Sequence, residues 1–379
     1  MKNGWETKTL NQISTNLDSR RVPITKSVRK SGEYPYYGAS GIVDYVADYI
    51  FDEETLLISE DGANLLARST PIAFPASGKY WVNNHAHIVK FANLTTQRFV
   101  ELYLESILLD DYITGAAQPK LNQAALNSIP IPVAPLPEQR RIVGILDEAF
   151  EGITTAKANA ETNLQNARAV FESYLQSVLQ SKKWKWKTLG ELCDDVEYGS
   201  SAKSKADSGV PVLRMGNIQE GRLNWKNLVY TDDKAEIKKY LLKHNDVLFN
   251  RTNSPELVGK TAIYKSEMPA IFAGYLIRIH RKEDLLDADY LTYFLNSKIA
   301  FDYGKTVVIS SVNQANINGS KLKCYPIPAP SLAEQKAIVA KLNDLSEETQ
   351  RLTSIYERKL AALDELKKSL LHQAFSGAL

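Results

Sequence analysis

Polar side chains suited to nucleic-acid recognition cluster in stretches of this sequence where loops are expected. One stretch, Lys79-Tyr-Trp-Val-Asn-Asn-His85, follows a Ser-Gly pair, and a second, Asn250-Arg-Thr-Asn253, lies in the other half of the chain. Asparagine, histidine and lysine side chains can bond to base edges or phosphates, while tyrosine can brace a groove. The residues that we expect to contact nucleic acid are Arg20, Arg29, Lys30, Tyr37, Ser40, Arg68, Lys79, Tyr80, Asn83, Asn84, His85, Lys203, Lys205, Arg214, Asn217, Asn250, Arg251, Thr252, Asn253 and Lys260.

The distribution of charge adds to this interpretation without deciding it. Net charge is only +2, but residues 183–330 carry 22 basic against 17 acidic residues. Residues 1–136 carry 12 against 14, yet they hold a run of five basic residues between positions 20 and 30 with no acid among them. Such runs can bind phosphates. For any one of these residues, a solvated loop position remains the simpler explanation.

Patterns for catalysis, nucleotide binding and metal binding are weak in this sequence. Gly259-Lys-Thr261 ends like a phosphate-binding loop, but Ser254 stands where the first glycine should be. His85 and His87 would share one face of a strand, but the spacing specifies no third metal ligand. The Asn/Asp-Pro-Pro-aromatic element of an amino-methyltransferase does not occur. We therefore expect no catalytic site, metal or cofactor in this chain.

The composition is that of a globular protein with two or three domains. The chain has 379 residues, of which 44% are hydrophobic and 24% charged. The sequence has no run of the roughly 18 apolar residues that a membrane helix needs. We expect a cytoplasmic protein without membrane contact. Its two cysteines, Cys193 and Cys324, are interpreted as packing residues.

The two halves of the chain repeat each other. Motifs that flank the predicted helices recur at an offset of 196 residues, motifs before them at 191, and motifs near the two starts at 179. The repeat predicts the order globular unit, helix, globular unit, helix, with boundaries at 1–136, 137–182, 183–330 and 331–379. The matching pairs include Pro130-Ile-Pro132 with Pro326-Ile-Pro328, Glu138-Gln139 with Glu334-Gln335, Phe99 with Tyr290, Tyr103 with Phe294, and Trp5 with Trp184.

Each repeat ends in a long helix that carries a coiled-coil seam. Apolar or small residues alternate in steps of four and three from 142 to 178, with one stutter between 156 and 164, and the second helix repeats the phase and the stutter. Lys367 interrupts the second seam, where Leu366 is expected to fill the gap. The simplest arrangement is an antiparallel intramolecular coiled coil with a pseudo-two-fold axis, about 69 Å long for about 46 residues. Pairing of each helix between chains is the alternative.

Inside the globular units, short apolar runs alternate with single helices, which predicts an α/β (α+β) fold. Residues 55–59, 72–74 and 87–91 of the first unit are predicted strands, followed by a helix over 96–111. Residues 210–214, 246–249, 261–264 and 274–279 of the second are predicted strands, followed by a helix over 288–301. The two units share little sequence between these landmarks, as expected of one scaffold that carries two recognition surfaces.

Together these residues resemble the specificity subunit of type I restriction-modification enzymes over the whole chain. The resemblance rests on Gln118-Pro-Lys-Leu-Asn122 before Ser128-Ile-Pro-Ile-Pro-Val-Ala-Pro-Leu-Pro-Glu-Gln139, on Ala76-Ser-Gly-Lys-Tyr-Trp-Val-Asn-Asn-His85, and on Asp246-Val-Leu-Phe-Asn-Arg-Thr-Asn253 with Val258-Gly-Lys260. One departure concerns the second half, where Ile309-Ser-Ser311 is taken as the equivalent of Gln118-Pro-Lys120.

The resemblance implies a non-catalytic subunit with two target-recognition domains separated by spacer helices. Each domain would read one half of a bipartite double-stranded DNA site, and the helices would set the spacing and dock two methyltransferase subunits. S-adenosylmethionine would be bound by those partners, and ATP and Mg by up to two restriction subunits. Two alternatives stay open: a coiled-coil scaffold that binds only proteins, and a complete DNA methyltransferase, whose cofactor site the sequence does not provide.

Overall fold

The computed structural model describes residues 4–115, 117–219, 221–311 and 314–379, and the chain divides into two compact units. Unit 1 comprises Met1–Glu161 and Arg358–Leu379, and unit 2 comprises Thr162–Glu357. Each long helix therefore contributes residues to both units. Among the described residues, no helix combines the length and apolar character needed to span a bilayer.

The first half of the chain contains ten strands and five α-helices within the described ranges. Three short 3₁₀ turns, at Asp18–Arg20, Lys26–Val28 and Asp110–Tyr112, lie between them. In chain order the elements are β1 (Glu6–Thr9), α1 (Leu10–Ile13), β2 (Ser14–Asn16), β3 (Ser31–Gly38), β4 (Gly41–Val46), β5 (Phe51–Asp52), β6 (Thr55–Ser59), α2 (Asn64–Ala67), β7 (Ala73–Ala76), β8 (Lys79–Val82), β9 (Ala86–Phe91), α3 (Leu94–Ser106), α4 (Gln123–Ser128), β10 (Pro130–Val133) and α5 (Leu136–Leu179).

Unit 1 is built on two four-stranded sheets. One is antiparallel with the order β2-β9-β6-β7, and the other has the order β4-β3-β8-β5 with a parallel β3–β8 pair. Every residue of β6 is buried because its two faces serve two cores. Leu56 and Ile58 pack with α3, whereas Leu57 packs on the opposite side with Phe51 and Tyr80. Alternation of side chains along the strand produces this division.

Within its described ranges, the second half of the chain contains the same kinds of element, with one 3₁₀ turn at Met215–Asn217. In chain order they are β11 (Trp186–Thr188), α6 (Leu189–Leu192), β12 (Cys193–Tyr198), β13 (Val210–Leu213), β14 (Ile218–Gln219), β15 (Arg222–Leu223), β16 (Val229–Thr231), α7 (Lys234–Tyr240), β17 (Val247–Asn250), β18 (Thr252–Asn253), β19 (Thr261–Ile263), β20 (Ile271–Phe272), β21 (Leu276–Arg281), α8 (Ala288–Leu295), α9 (Lys298–Val307), β22 (Ile309–Ser311), β23 (Gln314–Asn316), α10 (Gly319–Lys323), β24 (Pro326–Pro328) and α11 (Leu332–Ser376).

Unit 2 repeats the plan of unit 1. An antiparallel sheet of order β12-β21-β17-β19 corresponds to β2-β9-β6-β7, and a parallel β13–β20 pair corresponds to β3–β8. Strand β17 again serves two cores, because Val247 and Phe249 pack on one side and Leu248 on the other. The hairpin of β14 and β15 is an addition of unit 2. The structure thus confirms the predicted α/β (α+β) class and the internal repeat.

The two long helices pack antiparallel within each unit. In unit 1, the start of α5 (Ile142, Leu146) contacts the end of α11 (Leu371, Ala374). In unit 2, the later part of α5 (Leu175, Leu179) shares a core with the early part of α11 (Val339, Leu342). The predicted intramolecular coiled coil is therefore confirmed.

The predicted filling of the gap at Lys367 is wrong. Leu366 is 46% exposed, whereas Lys367 lies 5.1 Å from the ring centre of Phe150 and forms a 3.0 Å ion pair with Glu105 of α3. A lysine is tolerated on the seam because its stem covers apolar surface while its charge finds a partner.

Helix ends follow the sequence signals in most places. Ser331 and Glu334 bond reciprocally as a capping box at the start of α11, and Gly377, with a φ of +83°, ends that helix. The helix predicted over 96–111 starts at Leu94 and stops at Ser106. The helix predicted over 288–301 is two helices, because Ser297 caps α9 as a new start.

Candidate nucleic-acid interface

Five of the predicted contact residues of unit 1 meet at one end of its sheets. We call this region surface A: the β3–β4 hairpin tip (residues 37–41), the β8–β9 turn (83–85), the turn after β6 (60–62) and Lys120. Backbone bonds hold it together, from the Asn83 N–H to the Tyr37 carbonyl (3.0 Å) and from the Glu60 N–H to the His85 carbonyl (2.9 Å). Ser40, Asn84 and His85 are exposed, while Tyr37 is half-buried and Asn83 is 7% exposed. Surface A therefore presents a hydroxyl, an amide and an imidazole side by side.

An ion-pair network lies beneath surface A. The Glu60 carboxylate accepts from Arg21 at 2.6 Å and lies 3.2 Å from the Lys120 ammonium. His87, which is 1% exposed, has Nδ1 at 2.6 Å from Asp18 and Nε2 at 2.7 Å from the Leu121 carbonyl. Because that carbonyl can only accept, Nε2 donates to it. The network ties Lys120 and Leu121 to the sheet edge and so fixes the position of Lys120.

The network favours ionised carboxylates. Burial acts to raise the pKa of Asp18, but the hydrogen bond and charge of His87, with further help from the Ile88 N–H and Arg21, lower it below its usual value. The pKa of Glu60 is lowered in the same way, against burial, by Arg21, His87 and Lys120.

The same three side chains have ligand atoms close enough together to hold a metal ion. Those atoms of Asp18, Glu60 and His87 lie within 4.8 Å of one another. However, a cation there would have to displace Arg21 from Glu60 and compete with the bond between His87 and Asp18. The donor set therefore fits an internal ion-pair network, and we assign no metal to it.

Six other predicted residues of unit 1 lie away from surface A, and five of them have partners within the fold. Arg20 pairs with Glu53 at 2.5 Å and Arg29 with Asp44 at 3.1 Å. The placements of the remaining four are as follows: Lys30 is exposed, Arg68 donates to the Leu104 and Ile107 carbonyls at the end of α3, Lys79 lies over the Tyr49 ring, and Tyr80 is fully buried with its hydroxyl 2.7 Å from Thr55. Burial raises the pKa of Tyr80 to about 12.

The run Asn250-Arg251-Thr252-Asn253 of unit 2 occupies the sheet end that corresponds to surface A. We call surface B the residues 250–253, Tyr198, the β20–β21 turn (273–275) and Asn316. The Arg251 N–H bonds to the Tyr275 carbonyl at 3.0 Å, and the Ile317 N–H bonds to the Arg251 carbonyl at 2.9 Å. Asn250 and Thr252 are buried, Asn253 is half-buried, and Tyr198 and Tyr275 are 41% and 50% exposed.

Arg251 is the main charged group described on surface B. Its guanidinium lies 4.8 Å from the ring centre of Tyr198 and contacts the Gly274 carbonyl and the Asn316 amide oxygen at 3.4 Å each. Its Nε is buried without a hydrogen-bond partner. Among the described residues, no carboxylate forms an ion pair with Arg251. Such a guanidinium is available to an incoming acceptor.

The other predicted residues of unit 2 are dispersed. Lys203 is exposed, Lys205 pairs with Asp232 at 2.5 Å, and Arg214 donates to the Asn227 carbonyl. Asn217 is buried and ties the start of β14 to the segment after β15 through bonds to the Asn224 and Lys226 carbonyls at 3.0 Å. Lys260 lines a groove described below. Sequence alone could not separate these residues from Arg251, since all of them lie near turns.

The sequence reasoning missed Lys120 and misplaced its counterpart. Asn122 caps α4 through the Ala125 N–H, and Asn318 caps α10 through the Lys321 N–H. Leu121 bonds to the Glu60 carbonyl as Ile317 bonds to the Arg251 carbonyl. Gln314-Ala-Asn316-Ile-Asn318, at an offset of 196, is therefore the equivalent of Gln118-Pro-Lys120-Leu-Asn122, and the equivalence with Ile309-Ser-Ser311 is wrong. A sequence comparison that aligned the helix-capping residues Asn122 and Asn318 would have found the correct equivalence.

Unit 2 also contains a groove of about 910 Å³ between its sheet, α8 and the paired helices. Phe171 of α5, Trp225, Tyr293 of α8 and Ser346 of α11 are among its walls. In unit 1, ion pairs bridge the equivalent positions: Arg98 with Asp147 at 2.7 Å, and Lys367 with Glu105 at 3.0 Å. The two units thus attach their α-helices to the long helices by different chemistry.

Comparison with known proteins agrees with the duplicated plan. The family described as "Type I restriction modification DNA specificity domain" matches residues 2–164 and again 181–359. The chain belongs to this family. It is a specificity subunit of the type I restriction-modification kind, with one specificity domain in each half, as the resemblance implied.

Curated relatives carry the same description. A putative type I restriction enzyme specificity subunit of Haemophilus influenzae is 28% identical over 362 residues, which cover 92% of this chain and 89% of that protein. The MjaVIII specificity subunit of Methanocaldococcus jannaschii is 21% identical and covers 99% of this chain and 93% of that protein. The EcoKI specificity subunit of Escherichia coli is 25% identical over 70% of this chain and 61% of its own length.

Two solved structures share the fold over the full chain. One is a chain from a study of complex assembly and conformational transition of a type I R-M system, with a TM-score of 0.72, 17% identity and coverage of 100% and 99%. The other is the HsdS subunit from Thermoanaerobacter tengcongensis, with a TM-score of 0.59, 17% identity and coverage of 100% and 98%. At this identity the likeness concerns the fold.

Proposed function

We propose that each unit of this specificity subunit reads one half of a bipartite double-stranded DNA site, unit 1 through surface A and unit 2 through surface B. The observation that carries the proposal is the repetition of one frame with different polar groups at the same sheet end. His85, Asn84 and Lys120 face solvent in unit 1, whereas Arg251 and two exposed tyrosines do so in unit 2. A common frame with unlike surfaces suits an asymmetric target.

The paired helices are proposed to set the distance between the half-sites and to dock two methyltransferase subunits. Exposed apolar side chains, which lose contact with water when a partner covers them, occur on both helices in both units. These are Ile145 (37% exposed) and Val170 (50%) on α5, and Ile355 (36%) and Leu366 (46%) on α11. Their even distribution supports one docking surface in each unit.

The chemistry of the complex is proposed to lie in its partners. Methyltransferase subunits would bind S-adenosylmethionine and methylate adenine N6, while up to two restriction subunits would use ATP and Mg. The specificity subunit then contributes target choice and geometry and holds no cofactor of its own. In this division of labour, a change on surface A or B alters which DNA is modified.

The test is a map of N6-methyladenine in host DNA, read by single-molecule sequencing with the chain co-expressed with its methyltransferase subunit. The expected result is a bipartite motif with a fixed spacer that disappears when the chain is deleted. Replacing residues 1–136 by those of another specificity subunit should change one half of the motif, and replacing 183–330 should change the other.

A stable complex that yields no motif would favour the scaffold alternative, in which the chain binds only proteins. A motif in which both halves change on a single exchange would contradict the assignment of one half to each unit. Each exchange leaves the other domain and residues 137–182 and 331–379 unchanged, so each serves as the control of the other.

A further inference from the structure

One position differs in charge between the two repeats at the base of surfaces A and B. The strand pairings of β6 with β9 and of β17 with β21 place Ile58 and Phe249 at equivalent positions. Two residues further on, Glu60 of unit 1 therefore corresponds to Arg251 of unit 2. The cap register described above aligns Lys120 with Asn316. At these two positions, the acid Glu60 and the cation Lys120 of unit 1 are therefore replaced by the cation Arg251 and the amide Asn316 of unit 2.

The surroundings differ in the same sense. In unit 1, the position next to His87 on the neighbouring strand is Asp18, and the carboxylates of Asp18 and Glu60 neutralise Arg21 and Lys120. In unit 2, β12 pairs Tyr198 with Ile277, so that an aromatic ring replaces Asp18. The Arg251 guanidinium stacks on that ring at 4.8 Å, with no described carboxylate in ion-pair contact. Unit 1 balances its charges internally, whereas unit 2 leaves one guanidinium uncompensated.

The geometry of Arg251 favours a base edge over a phosphate as its ligand. Stacking on Tyr198 holds the guanidinium plane, while its two terminal nitrogens have only 3.4 Å contacts, longer than an ordinary hydrogen bond. A fixed guanidinium with two parallel donors matches the N7 and O6 acceptors of guanine in the major groove. Exposed cations such as Lys203 suit phosphates better.

We propose that Arg251 reads a guanine in the half-site assigned to unit 2, with Tyr198 and Asn316 as its positioning residues. This inference rests on the proposed function of surface B and adds the identity of one base. In unit 1, the corresponding carboxylate of Glu60 is occupied by Arg21 and Lys120 and is not free to read a base.

The experiment compares methylation motifs of the complete complex with the wild-type chain and with Arg251→Lys, Arg251→Ala and Asn316→Asp. The wild-type motif should contain a guanine in the unit 2 half. Arg251→Lys and Arg251→Ala should relax that position by about tenfold in discrimination and leave the unit 1 half intact. Asn316→Asp should relax the same position, because it places beside Arg251 a carboxylate that competes with guanine for the guanidinium donors.

Lys265→Ala, which removes an exposed and paired cation from the same unit, is the matched control and should keep the motif. A unit 2 half-site without guanine would overturn the proposal. A second result would also overturn it. If Arg251→Ala keeps the motif but lowers the slope of log K against log salt by about one, Arg251 contacts a phosphate and not a base. Absence of any bipartite motif with the wild-type chain would instead count against the proposed function. Thermal melting of each variant shows that it is folded, and Asn316→Asp retains Arg251 if Arg251→Ala does not fold.

Discussion

At the scale of single residues, the repeat uses equivalent positions for different purposes. Glu60 ties Lys120 and Arg21 together in unit 1, whereas Arg251 at the same strand end has no described carboxylate partner in unit 2. A carboxylate beside a cation lowers the net field that nucleic acid meets, and a bare guanidinium raises it. The two surfaces are therefore expected to differ in how strongly their binding depends on charge.

Replacing Lys120 by alanine should weaken DNA binding by the assembled complex about five- to tenfold at moderate salt. The reason is that its half-exposed ammonium lies on surface A, where it can contact a phosphate. Titration at several salt concentrations should show the slope of log K against log salt reduced by about 0.9, the value for one phosphate contact. Lys90→Ala is the control, because Lys90 is 50% exposed against 51% for Lys120 and lies elsewhere on unit 1. Equal slopes for both variants and wild type would exclude a phosphate contact at Lys120.

Glu101 of α3 makes unit 1 sensitive to pH. Its burial, opposed in part by Arg98, raises the pKa of its carboxyl from 4.5 to about 7. The folded state then holds the proton more tightly than the unfolded state, so the free energy of unfolding falls as pH rises from about 4.5 to about 7. The wild-type protein should lose about 3 kcal/mol of unfolding free energy between pH 5 and pH 8, at about 1.4 kcal/mol per pKa unit. Glu101→Gln should abolish this loss. Denaturant unfolding at both pH values checks this, and parallel pH profiles for the two proteins would refute it.

At the scale of elements, one glutamine fastens each long helix to its unit. Gln335, which is fully buried near the start of α11, donates to the Leu285 and Pro330 carbonyls and accepts from the Asp287 N–H at 2.8 Å. Gln139 of α5 repeats this with the Ala134 carbonyl and the Thr96 hydroxyl. The Glu-Gln motif that revealed the repeat therefore joins α11 to the loop before α8, and α5 to the first turn of α3.

Gln335→Ala should destabilise unit 2 by about 3 kcal/mol, because it leaves buried backbone groups without partners. Chemical denaturation measures the loss. Lys336→Ala, next along the same helix and exposed, should change the free energy of unfolding by less than about 0.5 kcal/mol. If the two variants unfolded alike, the glutamine would not be the fastening group.

At the scale of the whole molecule, α5 and α11 contribute residues to both units and carry matched stutters. Removing four residues at the stutter of α5 and the four equivalent residues of α11 keeps the two helices in register. Four residues correspond to about 6 Å of helix, so the DNA spacer should shorten by about one to two base pairs. Methylation mapping should show unchanged half-sites at the new spacing. A change of half-site bases with an unchanged spacer would contradict a ruler role for the helices.

The sequence by itself determined the family, the internal repeat, the fold class and the antiparallel helix pair. These follow from signals that are local or periodic: the seam of α5 and α11, the Ser331 capping box, and apolar runs such as β6. Periodicity reports which face a residue shares, and it survives in a single sequence.

Only the tertiary structure decided which polar residues share a surface and which are buried and hydrogen-bonded inside the fold. In the sequence, Tyr80 and Asn217 lie in polar stretches near turns, as Asn84 and Arg251 do. In the structure, however, Tyr80 and Asn217 are buried and bonded within the chain. Lys120 gains its place from a backbone bond between Leu121 and Glu60, which are 61 positions apart. Contacts of this kind depend on chain closure over long separations, and no local pattern encodes them.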